Sequence, residues 1–229
     1  MIILSIPEKS ITKIAIGVTV LFIALCSIYF SPVEIPHKIS IPVGLLTIAS
    51  IALCPWQIIL ALGFSAAGDF FGSCGNFIAQ MGCFAISHIW YILYFALRYH
   101  RKVEHDKKLT ARAKGYVFMV MFCAACILTA AFLKIVPSVP SGTLRIGVSI
   151  YSCLICTMLI MAMLQRSSLF ALGAILFVFS DFILAWNIFV EPIPHDRLLI
   201  MVPYYAAQWF LFIRSSSFKL KHPIRLMRF

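Results

Sequence analysis

Between Arg166 and Glu191 the only charged side chain is Asp181. The core of this stretch, residues 168–189, is long enough to cross a hydrocarbon layer, which takes about 20 apolar residues per helix. Backbone N–H and C=O groups in hydrocarbon must find partners within the segment, so such a run folds as a helix. One carboxyl in it is costly: an acid at the centre of a membrane helix costs about 2.5 to 3.5 kcal/mol on insertion scales, which marks Asp181 as a functional candidate.

The rest of the chain repeats the pattern. It is 62% hydrophobic and 12% charged, with a mean hydropathy of +0.99, outside the range of water-soluble domains. Apolar runs at 14–30, 39–72, 76–99, 115–133, 144–164, 168–189 and 198–215 are read as membrane helices. The run 39–72 is too long for one span. Cys54-Pro55-Trp56-Gln57 divides it into two, because proline removes a helical donor and clashes with the preceding turn. Eight helices result, in an all-α polytopic membrane protein that forms a single transmembrane domain. No small-residue cleavage site follows the first run, only Pro32, so that helix is expected to be retained.

Charge sets the expected orientation. Lys9, Lys13, Arg98, Arg101, Lys102, Lys107, Lys108, Arg112, Lys114, Arg166, Arg214, Lys219, Lys221, Arg225 and Arg228 fall on one side of an eight-span arrangement. Lys38, Lys134, Arg145 and Arg197 fall on the other. The positive-inside rule then places both termini, the basic loop 98–114 and the basic tail 217–229 in the cytoplasm. The net charge of +11 thus reads as topology; with no basic helix or aromatic-interleaved patch, nucleic-acid binding is not expected. The membrane would be the inner one in a bacterium and the endoplasmic reticulum in a eukaryote.

A weak echo links Asp69-Phe70, followed by Asn76-Phe77, with Asp181-Phe182, followed by Asn187 and Phe189. It suggests two parallel four-helix halves, 1–100 and 112–216. The eight cysteines read as small apolar packing residues. Cys123-x-x-Cys126 and Cys153-x-x-Cys156 are one-turn spacings inside helices and make poor zinc sites.

Of eight acids only Asp69 and Asp181 lie inside helices, and of six histidines only His88 does. At about 1.5 Å per residue, Asp69 and Asp181 lie about 18 and 20 Å from the cytoplasmic ends of their helices. His88 lies about 18 Å from the outer end, and Tyr204, Tyr205 and Gln208 about 9 to 15 Å. These six can meet in one cavity in the outer half or middle of the membrane. Ser65 precedes Asp69 by four residues, Tyr91 follows His88 by three, and Tyr204 precedes Gln208 by four, so each pair shares a helix face. Ser65, Asn76 and Asn187 are read as interhelical hydrogen-bonding residues. Two carboxyls without a buried cation are read as functional, because one site holding both supplies an acid and a base at one pH. His88 offers a second candidate base, or would orient an acid or a water. Lys38, the basic residue just before the second helix, is a candidate for a phosphate contact or for membrane anchoring.

Three stretches resemble the YhhN-like lysoplasmalogenase family of eight-helix membrane enzymes. They are Gly68-Asp69 followed by Phe84-Ala85-Ile86-Ser87-His88-Ile89-Trp90-Tyr91, the run from Gly173-Ala174 through Phe179-Ser180-Asp181-Phe182 to Ala185, and Tyr204-Tyr205-Ala206-Ala207-Gln208. Their order and spacing cover the chain from Lys38 to the end of the eighth helix. The resemblance implies hydrolysis of the vinyl ether bond of lysoplasmalogens to a fatty aldehyde and a glycerophospho-ethanolamine or glycerophosphocholine. It also implies that Asp69, His88, Asp181, Tyr205 and Gln208 belong to the active site. Where the family tends to place Lys next to Pro, this chain has Lys38 and Pro42.

The expected chemistry uses one Asp as general acid and the other as cation stabiliser and base, as paired carboxyls serve glycosidases. The sequence does not say which is which. Tyr204, Tyr205, Gln208, Tyr91, Ser65 and Lys38 are the candidate substrate-binding residues, the partner is a lysophospholipid from the bilayer, and no cofactor or metal is expected. A proton-coupled transporter using the same carboxyls is the alternative. A serine hydrolase is not supported, since no Gly-x-Ser-x-Gly elbow is present.

Overall fold

Prolines set the first boundaries of the fold. The structure, a computed structural model, describes the backbone of residues 8–105 and 111–221 and the side chains of residues 13–100 and 115–216. Helix α1, Glu8–Phe30, stops at Ser31-Pro32, where the Ser31 hydroxyl donates to the Ile28 carbonyl at 2.7 Å. Helix α2, Ile41–Leu53, carries Pro42 in its first turn, where no helical donor is lost. It ends because Cys54 precedes Pro55 and is held extended, at φ −120° and ψ 161°. Pro55 then caps α3, Trp56–Ser73, so the division expected at Cys54-Pro55 is present.

The later helices are α4, Phe77–His105, α5, Ala111–Ala130, α6, Thr143–Met163, α7, Ser168–Phe189, and α8, Asp196–Lys221. Among the described residues these make eight principal helices and no strand. The expected loop 98–114 is shorter than its charge suggested: α4 continues to His105 and α5 begins at Ala111. Lys and Arg are good helix formers, so charge alone does not end a helix. Likewise α8 continues into the expected tail as far as Lys221. Residues 106–110 and 222–229 lie outside the described residues.

Six helices, α1 and α4 to α8, are long and apolar enough to cross a membrane. At 13 residues, α2 is a shorter apolar helix of about 20 Å. Helix α3 carries Gln57, Ser65 and Asp69 among its apolar residues. The chain is an integral membrane protein.

Beyond Ala130 the helix of α5 widens into a π turn, Ala131–Ile135, before a last helical turn, Val136–Ser138. Such insertions recur at functional sites. Gly142 then begins α6 at φ 112°, a left-handed conformation that favours glycine.

Lipid tails are as apolar as leucine, so close packing and interhelical hydrogen bonds hold such a bundle together. Helices α3 and α4 are joined by a buried relay: the Ser65 and Ser87 hydroxyls lie 2.8 Å apart, and Ser87 donates to the Ala61 carbonyl. Helices α7 and α8 approach closely at Gly173, where a Cβ would stand 3.0 Å from Leu211 Cγ and 3.2 Å from the Ala207 carbonyl oxygen. Tyr91, Phe95, Phe170, Phe177 and Phe212 fill the main core. A smaller cluster of Ala131, Ile135, Val139 and Val148 joins the end of α5 to α6.

Candidate active site

A cavity of about 220 Å³ opens at one end of the bundle. Tyr29 from the end of α1, Asp69 from the end of α3, Gln80 and Phe84 from the start of α4, Ser180, Asp181 and Leu184 from α7, and Asp196, Arg197 and Tyr204 from the start of α8 line it. The cavity therefore brings the two intrahelical carboxyls into one space. Alternation of the helices puts the start of α1 and the finish of α8 at the opposite end.

Each carboxyl is held by a residue from another helix. Asp69, 2% exposed, accepts a hydrogen bond of 2.9 Å from the Tyr204 hydroxyl of α8. Asp181, with its side chain 12% exposed, accepts one at Oδ2 from the Tyr151 hydroxyl of α6. His88 of α4 is fully buried; its Nε2 lies 3.0 Å from Tyr151 Oη and 3.7 Å from Asp181 Oδ2. Because Tyr151 donates its proton to Asp181, its oxygen is left to accept from His88 Nε2–H. A relay therefore runs from His88 through Tyr151 to Asp181. His88 Nδ1 has no hydrogen-bond partner among the described residues.

A second, apolar chamber begins where the first ends. It runs between α4, α5, α6 and α7 and is lined by Phe77, Met81, Ile127, Ala131, Ile135, Val148, Ile155 and Val178 among others. Gln80, Phe84, Asp181 and Leu184 line both spaces. Asp181 thus stands at the junction of a polar and an apolar compartment. Phe84, Phe177 and Tyr204 pack edge to face beside it, with centroids 5.6 to 6.2 Å apart, and Phe177 lies 4.7 Å from the His88 ring.

The expected site residues divide. Asp69, Asp181, His88 and Tyr204 come together around the cavity and its relay. Tyr205 turns away: its hydroxyl donates to the Ile39 carbonyl at 2.8 Å, and its ring packs on Phe22 and Tyr29. Gln208 accepts a 2.9 Å hydrogen bond from Tyr91, and both are buried one turn deeper. Ser65 belongs to the α3–α4 relay. Asn76 caps α4 through the Ala79 N–H, and Asn187 ties the α7–α8 loop by bonds to Asp196 and Ile193. Lys38 Nζ donates to the Ser31 and Val33 carbonyls, at 3.1 and 2.8 Å, and does not line the cavity.

Sequence reasoning missed Tyr151, Gln80 and Arg197. The signal for Tyr151 was available: it lies eight residues into α6, as Tyr204 lies eight residues into α8. Residues at equal depth on helices that start at the same end share a layer.

The arrangement supplies a proton donor, a base and an apolar slot beside them. Among the described residues no group of three His, Cys, Asp or Glu is placed to hold a metal ion.

The model of the YhhN family matches residues 37–215, a span that includes every residue lining both spaces except Tyr29. Lysoplasmalogenase TMEM86B of Sus scrofa is 32% identical over 146 residues, 63% of this chain and 57% of its own length. The Homo sapiens protein of the same name is 29% identical over 168 residues, 72% of this chain and 63% of its own length. That of Rattus norvegicus is 29% identical over 208 residues, 83% of this chain and 80% of its own length. The chain therefore spans less than two thirds of the length of the first two relatives. No solved structure matches it.

Proposed function

Because the chain belongs to the YhhN family, whose relatives here are named lysoplasmalogenases, we propose that it hydrolyses the vinyl ether bond of lysoplasmalogens. The products are a fatty aldehyde and a glycerophospho-ethanolamine or glycerophosphocholine. The observation that carries this reading is the placement of Asp181 between the apolar chamber and the polar cavity that also holds Asp69. A single-chain ether lipid has the same division, with its reactive bond where chain meets glycerol.

The order of atoms along the substrate assigns the roles. With the alkenyl chain in the chamber, the carbon on the chain side of the double bond faces Asp181, and the ether oxygen and glycerol face Asp69. Asp181 gives its proton to that chain-side carbon as general acid, leaving an oxocarbenium ion. Asp69, oriented by Tyr204, takes a proton from the water that adds to the cation. When the hemiacetal collapses, its hydroxyl proton passes to Asp181, and Asp69 protonates the departing glycerol oxygen. Both carboxyls are then as they began, and one water has been consumed. Tyr151, backed by His88, holds Asp181 Oδ2 so that the other oxygen faces the substrate.

All eight helices cross the membrane in this reading, with α2 and α3 together filling two short crossings. Both termini are cytoplasmic, so the cavity opens toward the outer face. A proton-coupled carrier built on the same carboxyls is the competing class. Purified protein in detergent, supplied with a lysoplasmalogen in D2O, separates the two. The hydrolase account predicts release of an aldehyde carrying one deuterium on the carbon next to the carbonyl. A well-folded protein that releases no aldehyde from either head group contradicts it and favours the carrier.

A further inference from the structure

Among the described residues four Lys and Arg side chains lie toward the cavity end of the bundle, and three are otherwise placed. Lys38 is bonded to the Ser31 and Val33 carbonyls. Arg145 donates to the Val139 and Pro137 carbonyls, and Lys134 stands exposed on the π turn. Arg197 differs, because it lines the cavity that holds Asp69 and Asp181.

Its guanidinium lies 4.5 Å from the centroid of the Tyr29 ring, and one N–H donates to the Tyr29 carbonyl. The ring and the carbonyl of Tyr29 together hold the guanidinium in place. Five N–H donors exceed what Tyr29 can accept. Neighbouring Asp196, which lines the same cavity, directs its carboxylate to Asn187 Nδ2 and to the backbone N–H of Arg197 and not to the guanidinium.

We propose that Arg197 is the phosphate-recognition residue of this cavity, binding the phosphodiester of a single-chain lysophospholipid whose hydrocarbon chain lies in the apolar chamber. The proposal rests on the hydrolase reading for the identity of the lipid. A planar, pre-oriented fork matches two phosphate oxygens at once. Anchoring the phosphate at the mouth and the chain in the chamber leaves only the glycerol ether beside Asp69 and Asp181. Arg197 thereby fixes the direction in which the lipid enters and the depth at which its ether bond stops. The same phosphate chemistry is offered by any two-chain bilayer phospholipid, whose second chain has no slot in this arrangement.

Full-length protein in detergent tests this with ligands that cannot be cleaved: a 1-O-alkyl-glycerophosphoethanolamine, the 1-O-alkylglycerol that lacks the phosphate, and a diacyl phosphatidylethanolamine. Dissociation constants are measured by calorimetry for wild type, Arg197→Gln and Arg197→Lys. Wild type should prefer the single-chain phospholipid over the alkylglycerol by about tenfold or more, the size of a charge-assisted hydrogen bond. Arg197→Gln should abolish that preference while keeping alkylglycerol affinity, and Arg197→Lys should keep part of it. A preference untouched by Arg197→Gln, or an equal loss for both single-chain ligands, overturns the proposal. Equal Arg197 dependence for the diacyl lipid also overturns it, showing a contact with bilayer lipid instead. Because no turnover is read, a wild type that binds as expected yet releases no aldehyde would defeat the hydrolase reading and leave the phosphate site standing.

Discussion

Asp181 is informative because of what surrounds it: a tyrosine from α6, a histidine from α4 behind that tyrosine, and an apolar chamber on one side. Tyr151→Phe removes one hydrogen bond to the proposed acid while keeping the ring. It should lower kcat by roughly 10- to 100-fold and leave KM close to wild type, since a bond to a charged group contributes about 1.5 to 3 kcal/mol. Steady-state kinetics on one lysoplasmalogen checks this, and a rise in KM alone would place Tyr151 in substrate binding instead. The carboxyls were legible in the sequence because a charge interrupts an apolar run conspicuously, whereas Tyr151 blends into a helix scored as hydrophobic. Tyr204 and Tyr205 show a different limit. Adjacent helical residues point about 100° apart, so only one of the pair could face the cavity, and the sequence did not say which. Gln208 shares a face with Tyr204 but sits a turn deeper, where its partner is Tyr91.

Among the elements, the division of α2 from α3 could be read from Pro55 alone, since a proline and the residue before it dictate their own backbone. The π turn could not. Ala131-Phe132-Leu133-Lys134-Ile135 holds neither Gly nor Pro, and although Pro137 just beyond it cannot donate to the Leu133 carbonyl, nothing in the sequence says that the helix widens there to pack on α6 and α7. That turn sets two walls of the chamber, Ala131 and Ile135. Ala131→Phe should fill part of it and lower kcat/KM for long alkenyl chains more than for short ones, measured across a chain-length series. Equal losses at every length would remove the chamber from the account. Gly173 allows α7 and α8 to touch, so Gly173→Val should destabilise the bundle by about 1 to 3 kcal/mol through overpacking. The expected sign is a lower thermal midpoint in detergent; an unchanged midpoint would mean the two helices separate without cost.

At the level of the whole molecule, the proposed halves exchange partners across the cavity. Helix α4 of the first half reaches Asp181 of the second through His88 and lies beside Tyr151, while α8 of the second reaches Asp69 of the first through Tyr204. The echo between Asp69-Phe70 and Asp181-Phe182 carries the two acids but not their partners: Asp69 is held by Tyr204 from the second half, and Asp181 by Tyr151 of its own half, backed by His88 of the first. The proposed orientation follows the distribution of Lys and Arg, so tags at both termini should be reached by protease from the cytoplasmic side only, with one tag on each side as the contradicting result. The most direct test of the central claim is aldehyde release from a lysoplasmalogen by wild type, Asp69→Asn and Asp181→Asn, each purified to the same thermal midpoint in detergent. Two carboxyls acting as acid and base predict that each variant alone loses about 10²- to 10⁴-fold in kcat. A variant that keeps wild-type turnover would show that its carboxyl takes no part in the chemistry and would contradict the two-carboxyl mechanism.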